Sequence, residues 1–126
     1  MTQETGILLF AHGARDPAWA RPFEAVASTL RPQMPPGRVA LAFLEFMTPG
    51  MAEAGDALVA AGCTRVVVVP LFLGAGGHVR KDVPALMAEL QSRHAGTTWT
   101  LAPSIGESAL LVQAMADIAL QSAAQP

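Results

Sequence analysis

Three side chains able to hold a proton or a metal ion recur at equal intervals along the chain: His12, Glu45 and His78, 33 residues apart each time. Neutral imidazole is a good ligand for Co²⁺, Ni²⁺, Fe²⁺ and Zn²⁺, and a carboxylate adds compensating charge, so this set suits a borderline divalent ion. Three protein donors at most leave coordination positions open, the arrangement of a catalytic or transfer site and not of a closed structural one. Neutral histidine, as a residue type, can also serve as a proton acceptor near neutral pH. Each also has a plainer explanation. A strand-end histidine such as His12 commonly makes a structural hydrogen bond, Glu45 could pair with Arg15, and His78 could cap the helix that follows it. Two features favour the joint reading. Glu45 follows six apolar residues, where an unpaired carboxylate costs free energy, and the glycines before His78 permit close backbone approach.

The elements that must position these groups are legible as alternating apolar runs and helical periods. Residues 7–11 form a short apolar run that stops at His12 and Gly13, the signature of a strand buried on both faces. Trp19, Phe23, Val26, Ala27 and Leu30 recur at helical spacing behind an Asp16 cap and Pro17 at the first helical position. The strand signature repeats over residues 39–44 and runs into Glu45. A second helix opens near Pro49 and ends at Gly62. Residues 66–73 are the clearest strand, with Pro70 marking a bulge or the end of regular pairing, and the glycine-rich stretch after it delivers His78. Residues 83–90 are helical in period, 97–101 form a weaker strand, 107–121 an Ala- and Leu-rich helix, and 121–126 a polar tail expected to fray. The order βαβαβαβα predicts an α/β fold: a four-stranded, mainly parallel sheet with helices on both faces, in a flavodoxin-like three-layer arrangement. Ligands of such sheets bind outside the carboxyl ends of the strands, where His12, Glu45 and His78 all fall.

Composition bounds the reading further. With 126 residues, 52% of them hydrophobic and 14% charged, the chain is expected to form a single domain over residues 1–126. A net charge of −2 without clustered basic residues excludes nucleic acid as the natural partner. The longest apolar stretch, residues 66–75, contains Pro70 and is too short to cross a bilayer as a helix. Glu4, and no Lys or Arg, precedes the first apolar segment, so no leader is expected and the cytoplasm is the expected location. Cys63 stands alone, which excludes an internal disulfide and cysteine-type metal sites and fits a reducing compartment. His94, at a predicted helix end, is assigned no chemistry, and Trp19, Trp99 and the methionines, Met115 among them, are read as packing residues. Arg15, Arg80 and Lys81 flank the strand ends and could attract an anionic ligand. Gly74 and Gly76 followed by Val79 fail the dinucleotide fingerprint, and neither a P-loop nor a nucleophile elbow occurs.

Three longer stretches carry a resemblance. Leu8-Leu9-Phe10-Ala11-His12-Gly13-Ala14-Arg15-Asp16-Pro17, then Phe43-Leu44-Glu45-Phe46-Met47-Thr48-Pro49, then Val68-Val69-Pro70-Leu71-Phe72-Leu73-Gly74-Ala75-Gly76-Gly77-His78 with Asp82-Val83-Pro84 together resemble the sirohydrochlorin chelatases, above all the short CbiX form. The resemblance spans residues 7 to about 90 in order and implies a chelatase-like fold. It implies insertion of a divalent metal, usually Co²⁺ and in relatives Ni²⁺ or Fe²⁺, into sirohydrochlorin on the way to cobalamin, coenzyme F430 or siroheme, with no cofactor beyond the metal substrate. Carried over by position, His12 and His78 bind the metal, His12 also accepts a proton, and Glu45 assists coordination or proton removal. Thr48, Leu73, Gly74, Ala75, Gly76, Gly77 and His78 fall where the family contacts the tetrapyrrole, whose carboxylates Arg15, Arg80 and Lys81 are placed to receive. Ala14 stands where many relatives have serine, and the histidine-rich extension and cysteine cluster of other members are missing. Long members look like two such units in one chain, so this single unit is expected to act as a homodimer whose copies face each other across the substrate. Two other readings use the same residues. One is a non-catalytic carrier of metal or tetrapyrrole. The other is a histidine phosphatase, disfavoured because Ala11 stands where that chemistry needs an arginine.

Overall fold

The computed structural model describes residues 4–74 and 76–125, without the side chains of residues 77–80. Four strands, β1 (Thr5–Ala11), β2 (Val39–Phe43), β3 (Arg65–Pro70) and β4 (Thr98–Leu101), alternate with four helices, α1 (Arg21–Leu30), α2 (Met51–Ala60), α3 (Gly77–Arg93) and α4 (Ala109–Ala124). The sheet order is β2-β1-β3-β4 and every pairing is parallel. Ile7 lies between Val39 and Val67, and Phe10 between Ala42 and Pro70, so the central strand β1 is hydrogen-bonded on both edges. Its apolar run is the consequence: one face joins each layer of the core. Leu8 and Phe10 pack with Val66, Val68, Leu58 of α2 and Leu90 of α3, while Leu9 and Ala11 pack with Leu41, Phe43 and Ala27 of α1.

Boundaries differ from the sequence expectation where local chemistry intervenes. The strand expected over 66–73 stops at Pro70, which has no N–H to continue the ladder. Asp16 does cap, accepting from the Ala18 N–H at 2.9 Å, but it caps a 3-10 turn, Pro17–Ala20, that precedes α1. The third helix is much longer than expected and carries Pro84 inside it. The tail expected to fray is helical through Ala124, with the Ser122 hydroxyl bonded back to the Ile118 carbonyl at 2.9 Å. Helices do cover both faces, α2 and α3 one and α1 the other, but α4 covers neither: none of its 16 residues is buried. Met115, expected to fill the core, is exposed there. Among the described residues no helix is long and apolar enough to cross a membrane.

Candidate metal and substrate site

β1 and β3 are neighbours in the sheet, yet the chain leaves β1 toward α1 on one face and β3 toward α3 on the other. This divergence opens a crevice at the carboxyl edge of the sheet, where open α/β folds bind ligands. His12 is the first residue beyond β1, at the mouth of that crevice. Pairing to the β2 side continues past the strand ends, the Leu44 N–H bonding the Ala11 carbonyl at 2.9 Å and the Glu45 N–H the His12 carbonyl at 3.1 Å. These backbone bonds set two side chains face to face: His12 Nε2 lies 3.0 Å from Glu45 Oε1. The imidazole and the carboxylate are 40% and 39% exposed, so both are reachable from solvent.

Gly13 makes this approach possible. Its φ is +96°, and a Cβ there would stand 1.9 Å from the Glu45 carbonyl oxygen. Only glycine combines that backbone conformation with that contact. The imidazole meets the buried Phe72 ring edge-on, with centroids 6.5 Å apart, and Phe72 in turn packs against Phe10 at 5.7 Å. One wall of the crevice is therefore apolar and fixed by the core.

The pairing expected as the plainer alternative, Glu45 with Arg15, does not form. The Arg15 guanidinium lies 5.0 Å from the centroid of Phe46, and Glu45 faces His12. Phe46 is the residue whose importance the sequence concealed. It adopts a left-handed backbone conformation, φ 67°, and is 57% exposed beside Glu45. A bulky aromatic held in that region and left in solvent is a costly placement, of the kind that clusters at ligand sites. A composition-based reading finds only one more apolar residue there; the left-handed turn is a tertiary fact. Leu73, beyond β3, is 68% exposed on the same edge. Thr48 is exposed and shares a hollow of about 400 Å³ with Ala14, Arg15, Phe46 and Met47. Gly74, Gly76 and Lys81 are exposed as well, and no atom lies within 4 Å of a Cβ built on either glycine.

The backbone at position 78 belongs to the first turn of α3, behind Gly76 as N-cap. Ala75 and the side chains of His78 and Arg80 lie outside the described residues, so the expected third ligand is not placed; Gly77 is the first residue of α3. Among the described residues no three His, Cys, Asp or Glu side chains form a metal-binding group. The described pair nevertheless has the spacing of a coordination edge: two donors each about 2.1 Å from an ion and at a right angle to it stand about 3 Å apart. A proton or a divalent ion can occupy the same position. His94, assigned no chemistry, is tied far from this edge, its Nε2 2.6 Å from Asp56 Oδ1.

Comparison with known proteins follows the same outline. The model of a family described as CbiX matches residues 6–122. The sirohydrochlorin cobaltochelatase of Saccharolobus solfataricus is 38% identical over 82 residues, covering 65% of this chain and 62% of that protein. The chain thus aligns with less than two thirds of the length of this relative. A crystal structure of a protein described as a CbiX protein of cobalamin (vitamin B12) biosynthesis, from Marinobacter aquaeolei VT8, superposes with a TM-score of 0.82 at 35% identity, covering 94% of this chain and 96% of that one. The sirohydrochlorin chelatase SirB from Bacillus subtilis subspecies spizizenii, solved in complex with cobalt, superposes with a TM-score of 0.77 at 27% identity, covering 91% of this chain and 51% of that one.

Proposed function

The chain belongs to the CbiX family, and from that premise we propose that it is a metallochelatase that inserts a divalent metal, Co²⁺ in the first instance, into sirohydrochlorin. The observation that carries this reading is the half-exposed His12–Glu45 pair, 3.0 Å apart at the crevice where β1 and β3 diverge. Insertion of M²⁺ into the macrocycle releases two pyrrolic protons, so the site must deliver a metal and collect protons at one place. His12 and Glu45 do both by exchange. The metal binds by displacing the proton shared between imidazole and carboxylate. When it passes to the macrocycle, the vacated pair takes up one pyrrolic proton, and the second leaves to His78 or to water. His78 completes the metal ligands from the first turn of α3. Phe46 and Leu73 offer apolar surface to the macrocycle, with Thr48 and the stretch from Gly74 through Ala75, Gly76 and Gly77 forming its margin. Arg15, Arg80 and Lys81 receive its carboxylates. The metal is the substrate, and no further cofactor enters this scheme.

One such unit, residues 1–126, leaves its site edge open to solvent, and its matched region is half the length of the SirB chelatase. Two copies facing each other across the macrocycle enclose it, and we assign the protein to the cytoplasm, where tetrapyrrole intermediates and reduced Cys63 both fit. The test follows the absorbance change of metal-free sirohydrochlorin with Co²⁺, Ni²⁺ and Fe²⁺ against the spontaneous rate. Multiple turnovers per chain are expected, and His12→Ala should bring the rate down by about 10²- to 10⁴-fold, the usual worth of a positioned acid–base group. A single stoichiometric uptake without turnover would identify a carrier instead. Acceleration unaffected by His12→Ala and Glu45→Gln would overturn the assignment.

A further inference from the structure

Helix α4 is built for burial and has none. Its 16 residues include Leu110, Val112, Met115, Ile118 and Leu120, exposed at 85%, 54%, 43%, 61% and 70%. Polar character is confined to Ser122 and one line of residues spaced by four, Gln113, Asp117 and Gln121, along which Gln113 bonds Asp117 at 2.8 Å. A helix apolar around most of its circumference is normally found inside a core. The same chain carries a surface that lacks a helix. α1 covers the β1–β2 half of one sheet face, packing Ala27 on Leu9, Leu41 and Phe43. Beside it, on β3 and β4, Val67 and Val69 are only half-buried and Thr98 and Thr100 are exposed. The flank of α1 turned away from β2 adds an apolar groove of about 410 Å³ along Ala25, Val26, Thr29 and Leu30. A sheet face of this kind requires a covering helix.

We infer that the occupant of this face is α4 of a second copy, exchanged reciprocally, an assignment that rests on the homodimer proposed above and specifies how it is held. Within one chain a single residue, Ser108, joins α4 to the 3-10 turn Ile105–Glu107 and caps the helix through its hydroxyl, bonded to the Leu110 N–H at 3.2 Å. So short a hinge holds the helix off its own sheet, the circumstance that favours exchange of an element between copies. The direction is also right. α4 springs from the carboxyl edge of β4, the edge that carries His12, and its root is fixed to the site loop. The Gly106 N–H bonds the Phe72 carbonyl at 2.9 Å, and a Cβ at Gly106 would stand 1.8 Å from the Leu73 carbonyl oxygen. The helix is about 24 Å long and about 10 Å wide. Counted on both helices and both receiving faces, that footprint reaches the order of 1,000 Å² that a specific interface needs.

Light scattering of the full chain tests the dimer, and cross-linking tests the exchange. The Met115→Cys/Thr100→Cys double variant, treated with a short bismaleimide, should run as a covalent dimer on a denaturing gel, the native Cys63 being buried. Ile118→Glu, on an already exposed helix position, should keep its circular dichroism spectrum and become monomeric. A double variant linked only within one chain, or a dimer untouched by Ile118→Glu, would overturn the exchange while leaving a face-to-face dimer standing. A monomeric wild type at assay concentration would overturn both.

Discussion

At the scale of single residues, two backbone conformations determine what the carboxyl edge can do. Gly13 at φ +96° lets the His12 and Glu45 segments touch, and Phe46 at φ 67° turns an aromatic ring outward beside them. Gly13→Ala places a methyl against the Glu45 carbonyl and strains the turn as well. It should destabilise the fold by about 1–3 kcal/mol, read as a lower midpoint of denaturation. It should also weaken Co²⁺ binding measured by titration, since the two proposed donors, His12 and Glu45, would separate. Unchanged metal affinity in Gly13→Ala would mean that the 3.0 Å pairing is not what holds the ion. His12 and Glu45 were legible as chemistry-bearing types just beyond strand ends, and their convergence was expected from the βαβ repeat; position 78, expected at a strand end, instead belongs to the first turn of α3, because β3 already ends at Pro70. What the sequence concealed was that Arg15 turns to Phe46, because a choice between an ion pair and a cation–π contact depends on loop angles that no spacing rule encodes.

At the scale of elements, the helices owe their positions to a few specific ties as well as to the apolar core. The sharpest joins α2 to the end of α3. Asp56 accepts from Arg93 Nε at 3.2 Å and pairs through its other oxygen with the same guanidinium, while His94 Nε2 lies 2.6 Å from Asp56. The Arg93 hydrogen bonds, then that of His94, hold the Asp56 carboxyl below its ordinary value of 3.8. A carboxyl lowered in the folded state stabilises the fold above its unfolded value and loses that contribution as pH falls through the folded one. Asp56→Asn should therefore lower the melting temperature at neutral pH, with the gap to the wild type narrowing only below pH 3.8. A gap that stayed constant through acid would show that packing, not charge, supplies the effect. Cys63 follows the same logic of environment. Burial pushes its thiol upward, which agrees with a structural role. The elements themselves were largely readable, since apolar runs of strand length and helical periods are local patterns. Their ends were less so: Pro70, already marked as a possible end of pairing, does end β3, whereas α3 runs through Pro84 against its propensity.

At the scale of the whole molecule, α4, none of whose residues is buried, is the observation on which the proposed dimer rests. If the cleft is assembled from two copies, as proposed, activity depends on concentration. Specific activity should be constant at high protein concentration and fall steeply on dilution through the dimer dissociation range, and Ile118→Glu should show the low value throughout. Activity strictly proportional to chain concentration down to nanomolar dilution would place the complete site within one copy.

The sequence by itself determined the alternation of strands and helices, the parallel sheet and the three residues at its carboxyl edge. Periodicity, strand length and punctuation by glycine and proline are properties of neighbouring residues. Tertiary structure alone decided that His12 and Glu45 stand one coordination edge apart, that Phe46 is held outward, and that α4 leaves its own sheet uncovered. These depend on which surfaces meet across the chain, and an apolar helix reads the same in sequence whether it packs on its own sheet or on another copy's.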